Sequence, residues 1–202
     1  MSSKPLTDKQ RAKRKEIVEA AMVCFSQKGF HATSTAEICK EVGMSPGNVF
    51  HYFATKDEII QEIAKEDREL LNDIFERCST EKTVVDSIVQ IIRTIIDVMN
   101  HDPISARLSL EVGAEAARNP EVMSIFLENE DFNKQKLTQL IEQGMKNGEI
   151  DVELEPEATA TWLLMLGDGV LGRSIMQPGF KWEAQLDILE KMIRKALRPE
   201  CA

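Results

Sequence analysis

The chain has 202 residues, 43% hydrophobic and 5% aromatic, which is enough apolar material for a core and excludes a disordered polypeptide. Seven prolines and ten glycines are too few for a sandwich of short strands, so helices are expected. The net charge of −9 is unevenly spread: residues 1–56 carry nine Lys/Arg against five Asp/Glu, a net of +4, and the remainder carries a net of −13. A basic first quarter on an acidic body fits a segment that meets an anion, although a solvated Lys-rich helix has the same composition.

No stretch approaches the roughly 18 apolar residues of a membrane span. The opening Met1-Ser2-Ser3-Lys4 leads into charge and not into an apolar export core, so a cytoplasmic protein is expected. Cys24, Cys39, Cys78 and Cys201 form no C-x-x-C pair, which predicts reduced thiols with neither a disulfide framework nor a zinc site.

Thr7-Asp8-Lys9-Gln10 reads as a capping box. Ile17, Ala20, Ala21, Cys24 and Phe25 then mark one face of a helix that Gly29 ends. A short helix follows Thr33-Ser34-Thr35, with Ile38, Cys39 and Val42 facing inward. After Gly43, Ser45 is a natural N-cap and Pro46 a natural first residue for a brief helix through Tyr52. Longer helices are predicted from about Lys56, Glu81, Pro103, Pro120, Pro156 and Trp182, with stops at Ser79-Thr80, Gly148 and Gln177-Pro178-Gly179. Strand alternation appears nowhere and no repeat has a fixed period, so about nine helices in an all-α fold are expected.

A long supporting helix and two short ones joined by a glycine turn make a helix-turn-helix. One short helix braces while the other is narrow enough to enter a major groove about 12 Å wide. A small three-helix bundle of any function has the same spacing.

The run Ile17 to Lys56 resembles the DNA-binding domain of the tetracycline-repressor (TetR) family of bacterial regulators. The matching residues are Ala20-Ala21, Phe25, Gly29-Phe30, Thr33, Ile38, Val42-Gly43-Met44-Ser45, Gly47, Phe50, Tyr52-Phe53 and Lys56. The resemblance implies a helix-turn-helix DNA-binding domain over residues 1–56 and a helical effector-binding and dimerisation domain over 57–202. It also implies DNA-contact roles. Ser34 and Thr35 open the second helix, where hydroxyls and backbone N–H groups can grip a phosphate. Ser45, Pro46, Gly47 and Asn48 lead the recognition helix, and Asn48 can offer a donor and an acceptor to one base edge. Phe50 stands where tyrosine is common, so it can touch a thymine methyl or a sugar without hydrogen-bonding a phosphate. His51 and Tyr52 follow, and Lys56 is expected to neutralise a backbone phosphate. Lys4, Lys9, Arg11, Lys13, Arg14 and Lys15 form a basic N-terminal cluster, equally readable as a DNA-backbone contact or a solvated charge run.

For the body, the resemblance implies an effector pocket and pairing of two copies through the last two helices. Met99, Met123, Phe126, Trp162 and Met165 are candidate apolar pocket residues, with Arg107, Glu111 and Asp168 as candidate polar groups. Gly167, Gly169 and Gly172 within one helix fit close helix approach or room for a ligand. The expected partners are a palindromic double-stranded operator, a small apolar or aromatic effector and a second copy, with no membrane, cofactor or metal. Repression is the expected sign. An effector-free DNA-binding protein under a partner protein's control is the closest alternative. A helical-bundle enzyme is the more distant one: none of His31, His51 or His101 follows an acidic residue by three positions, and phosphate-loop, nucleophile-elbow and zinc-helix motifs are absent.

Overall fold

A computed structural model of the chain describes residues 6–79 and 81–199. Among the described residues it contains nine helices and no strand. They are α1 (Asp8–Lys28), α2 (Thr35–Val42), α3 (Pro46–Tyr52), α4 (Lys56–Cys78), α5 (Val84–His101), α6 (Pro103–Ala116), α7 (Pro120–Lys146), α8 (Pro156–Met176) and α9 (Glu183–Leu197). The all-α expectation therefore holds. The start of α5 differs from the sequence reading: it lies at Val84 rather than near Glu81, because the Thr83 hydroxyl accepts the Asp86 N–H at 3.0 Å and caps the helix there. Lys4 and Cys201 lie outside the described residues.

The helices form two compact units. The first takes in the described part of residues 1–66 together with Arg107–Phe126, and the second takes in Asp67–Ala106 and residues 127–199. One division between these units falls inside α4, between Glu66 and Asp67. The physical reason is that Ile59, Ile60 and Ile63, on the first turns of α4, are buried in the same core as Ile17, Val18, Phe25, Ile38 and Val49. Leu108, Ala116 and Val122 from α6 and α7 complete that core.

In the first unit α1 and α2 are closed by local contacts. Thr7 and Gln10 form both bonds of the capping box at the start of α1. Gly29 closes α1 at φ +80°, a backbone conformation that disfavours other residues, and a Cβ there would also lie 3.0 Å from the Glu111 carboxylate on α6. Thr33, which is buried, donates its hydroxyl to the Gly29 carbonyl at 2.8 Å and so pins the α1–α2 loop.

The second unit is built around α5, whose Ile88, Ile91, Ile92 and Ile96 are buried among α7, α8 and α9 residues such as Leu137, Ile141, Leu163 and Ile193. Glu149, just past α7, accepts the Val84 N–H at 2.6 Å and so satisfies one of the four unpaired donors at the start of α5. Across α5 and α9, Arg194 reaches Asp86 at 2.7 Å, and Arg93 reaches Glu190 at 2.9 Å. Gly144 is buried in α7, where a Cβ would fall 2.5 and 2.7 Å from two carbons of Ile150 and 3.3 Å from Val84. Ile150 is itself buried, so its side chain can give way only by displacing its core neighbours. Gly144→Val is therefore expected to cost about 2–3 kcal/mol by overpacking. The check is a lower denaturant midpoint at unchanged slope; an unchanged midpoint would show that Ile150 can give way.

Candidate nucleic-acid interface

The turn between α2 and α3 is set by Gly43, in the left-handed region at φ +70°. Its N–H donates to the Lys40 carbonyl and the next N–H, of Met44, donates to Cys39, which closes α2 and redirects the chain. Pro46 then fixes the first turn of α3. Ser45 sits at the N-cap position by backbone, yet its side chain makes no cap hydrogen bond, so the hydroxyl remains exposed for an outside partner. Val49 anchors α3 in the core, while Pro46, Gly47, Asn48, Phe50 and His51 are exposed. Phe50 is 49% exposed, an apolar ring set on the same open face as Asn48 and His51. Tyr52 is half-buried with its ring against the His51 edge. A narrow helix with an Asn, an aromatic ring and a His on its open face suits a groove of base edges.

Two expected phosphate contacts are arranged differently. Lys56 does not extend outward: its ammonium donates to the Phe30 carbonyl at 2.8 Å and the Thr33 carbonyl at 2.7 Å, and lies 4.6 Å from the Phe30 ring centroid. Two of its three N–H groups thus hold the α1–α2 loop onto α4, leaving one for any phosphate. At the start of α2, the Ser34 hydroxyl and N–H are engaged by Glu37 in a capping box. The Glu37 carboxyl is held at about 2, first by its hydrogen bond with Lys28 and then by Ser34. An ionised carboxylate, itself paired with Lys28, therefore caps the start of α2 beside Thr35.

Arg14, grouped by sequence with the solvent-facing basic cluster, also points inward. It donates to the Tyr52 carbonyl at 2.7 Å and to Glu62 at 2.6 Å. Sequence reasoning missed it, although Arg14 shares a helical stripe with the buried Val18, Ala21 and Phe25.

The eight candidate effector residues divide evenly between the units. Arg107, Glu111, Met123 and Phe126 belong to the first. There Met123 packs on the core, Glu111 approaches Gly29, Arg107 is exposed and Phe126 is 38% exposed. Met99, Trp162, Met165 and Asp168 belong to the second. Trp162 packs on the larger core, whereas Met165 is 63% exposed. The Asp168 carboxyl reaches solvent, yet the protein crowded around it raises it above the usual range; Glu130 on α7 is raised by its own burial first and then by the Asp168 charge. Also in this unit, the buried side-chain oxygens of Asn100 and Asn133 find no protein donor.

Among the described residues, no group of three or more His, Cys, Asp or Glu is placed to hold a metal ion, and no helix is long and apolar enough to cross a membrane. The architecture is that of a helix-turn-helix DNA-binding protein with a helical body. Residues 17–63 match the sequence profile of bacterial regulatory proteins of the tetR family, and residues 85–198 match that of the BetI-type transcriptional repressor C-terminal domain. The Escherichia coli K12 transcriptional regulator UidR is 31% identical over 159 residues, covering 78% of this chain and 79% of UidR. The solved structure of Salmonella enterica GusR is 30% identical with a TM-score of 0.80, covering 95% of this chain and 98% of GusR. Bacillus subtilis FadR, solved with stearoyl-CoA, is 18% identical with a TM-score of 0.82 over 91% of this chain and 99% of FadR, and shows the shared fold. The chain belongs to the TetR family and is a DNA-binding transcriptional regulator.

Proposed function

We propose that the protein is a cytoplasmic homodimeric repressor, acting by binding and not by catalysis, whose hold on a palindromic operator is released by a small amphipathic effector. The observation that carries the DNA-reading part is the open face of α3, where Asn48, Phe50 and His51 stand exposed around the buried Val49. Asn48 and Gly47 read base edges, Phe50 touches a thymine methyl or sugar, and Ser45, Pro46, His51 and Tyr52 flank them. Ser34, Thr35 and Lys56 act chiefly by shaping the turn that presents α3.

Pairing through α8 and α9 is supported by the large apolar side chains these helices leave in water. Met165, Met176, Ile188 and Met192 are between 54% and 69% exposed in one protomer. A second copy gives each a partner and sets two recognition helices on two half-sites.

The effector is proposed to bind in the larger unit, near Met99, Trp162 and Asp168. The partnerless oxygens of Asn100 and Asn133 support this, because a buried acceptor without a donor is rare and a ligand's N–H or O–H would satisfy it. An effector that binds the non-reading conformation better by about 1–3 kcal/mol weakens operator binding about 5- to 150-fold; one with equal affinity for both conformations changes nothing.

The test is operator affinity by fluorescence anisotropy across a library of small amphipathic compounds, paired with thermal shift. At least one compound that raises the melting temperature is expected to weaken DNA binding, with Trp162→Ala blunting that response while leaving unliganded binding within about twofold. If every stabilising compound leaves DNA affinity unchanged, effector release is wrong.

A further inference from the structure

Helix α3 is seven residues long with Val49 as its buried anchor. A helix this short has little stability of its own, and its core contacts, Val49 with Tyr52 and Phe53 at its end, leave the exact tilt of its open face to the groups that hold that end. Its C-terminal end also lacks the usual glycine cap: Phe53 follows in extended backbone at φ −141°, with its N–H on the Val49 carbonyl. The last carbonyls of a helix carry partial negative charge and need donors. At α3 the Tyr52 carbonyl takes one from Arg14 Nη1 at 2.7 Å. The same guanidinium donates through Nη2 to Glu62 Oε2 on α4 at 2.6 Å, and its carbon lies 4.0 Å from the Phe53 ring centroid. Arg14 and Glu62 are 23% and 24% exposed, so this pair is largely withdrawn from water.

We propose that Arg14, oriented by Glu62, is the positioning residue that fixes the recognition helix, and that operator specificity depends on it although it need not touch DNA. The guanidinium uses its fork and its flat face together, joining α1 and α4 to the end of α3. Lysine, a single ammonium on a flexible stem, cannot make both the two-headed contact and the stacked one. Asn48 lies one helical turn before Tyr52, so play at the Tyr52 end moves the atoms meant for a base edge. Recognition tolerates about 0.5 Å of such play. Arg14→Lys keeps a positive charge beside Glu62, so it leaves general phosphate attraction nearly intact while the two-headed contact is lost.

The inference rests on α3 being the DNA-reading helix, and the test separates the two. Full-length wild type, Arg14→Lys, Arg14→Ala and Glu62→Gln are titrated with a duplex enriched from random DNA by the wild type and with a scrambled duplex of equal length, across a salt series. The chain holds a single tyrosine, Tyr52, so 3-fluorotyrosine labelling gives one fluorine resonance at the end of α3 without any DNA. Arg14→Lys is expected to weaken the enriched duplex about tenfold or more, leaving the scrambled duplex within about twofold and the salt slope unchanged. Glu62→Gln is expected to weaken the enriched duplex about three- to tenfold, even though removing a negative charge favours DNA on electrostatic grounds. The Tyr52 resonance is expected to shift or broaden in both.

Three results would overturn the proposal. One is Arg14→Lys binding like wild type while Arg14→Ala lowers the salt slope, the mark of a phosphate contact. The others are Glu62→Gln tightening both duplexes, or a fluorine resonance identical to wild type in both variants. If Arg14→Lys fails to fold by circular dichroism, the sign of the Glu62→Gln effect decides. An error in the assignment of α3 appears elsewhere, as an enriched duplex indifferent to Asn48→Ala.

Discussion

Ile188→Glu combined with Met192→Glu is expected to turn the protein into a monomer and to weaken binding of a two-fold symmetric duplex by about 100-fold or more. The two side chains are 57% and 54% exposed on the face of α9 opposite the buried Leu186, Leu189, Ile193 and Leu197. Charge at these positions therefore does not disturb the protomer's core, and the melting temperature of the protomer should be nearly unchanged. Burying two unpaired carboxylates against a second copy, by contrast, costs several kcal/mol per ion. Affinity falls because the second recognition helix then binds from solution and is no longer held beside the first. Light scattering and anisotropy on one preparation provide the check. A dimer that persists, or a monomer that binds as tightly, contradicts pairing through α9.

Lys56→Met is expected to lower stability by about 2–3 kcal/mol, with DNA binding lost in proportion to the folded head. The substitution keeps most of the length and apolar stem and removes the ammonium. The Phe30 and Thr33 carbonyls then lose a charged donor, and such bonds contribute about 1.5–3 kcal/mol each before the solvent exposure of a half-buried site is discounted. A lysine that served only as a phosphate contact would behave in the opposite way. Stability would stay the same and the salt slope would fall by about one per half-site. Urea unfolding and a salt series of operator titrations separate the two. Unchanged stability with a shallower slope would return Lys56 to the DNA surface.

These residues also mark where sequence reasoning reached and where it stopped. Helix ends were legible because the signals are local: Thr7 with Gln10, Gly43, Pro46, Pro103, Pro120 and Pro156 act within one turn of chain. The exposed face of α3 followed from the same rules, since one buried Val49 leaves its neighbours outward. The contacts of the cations are not legible in sequence, because a Lys or Arg there reads as solvated, whereas Arg14 and Lys56 find carbonyls that only folding brings near. Ser34-x-x-Glu37 has the capping-box spacing, a local signal that encodes the closed start of α2. The unit boundary within α4 and the tight place of Gly144 depend on contacts far apart in sequence, with Ile150 and Val84 in the second case. Periodicity carries no record of such contacts.

On the proposed function, two copies of α3 read a symmetric DNA site through Asn48. Enrichment from random duplexes, carried out in parallel with the wild type and Asn48→Ala and read by sequencing, tests it most directly. The expected result is a two-fold symmetric site of about 15–30 base pairs for the wild type. Asn48→Ala should keep that site but lose preference at one symmetry-related pair of positions, with discrimination there reduced by about 1–3 kcal/mol. An asymmetric site, or the same preferences at every position from both proteins, would contradict it.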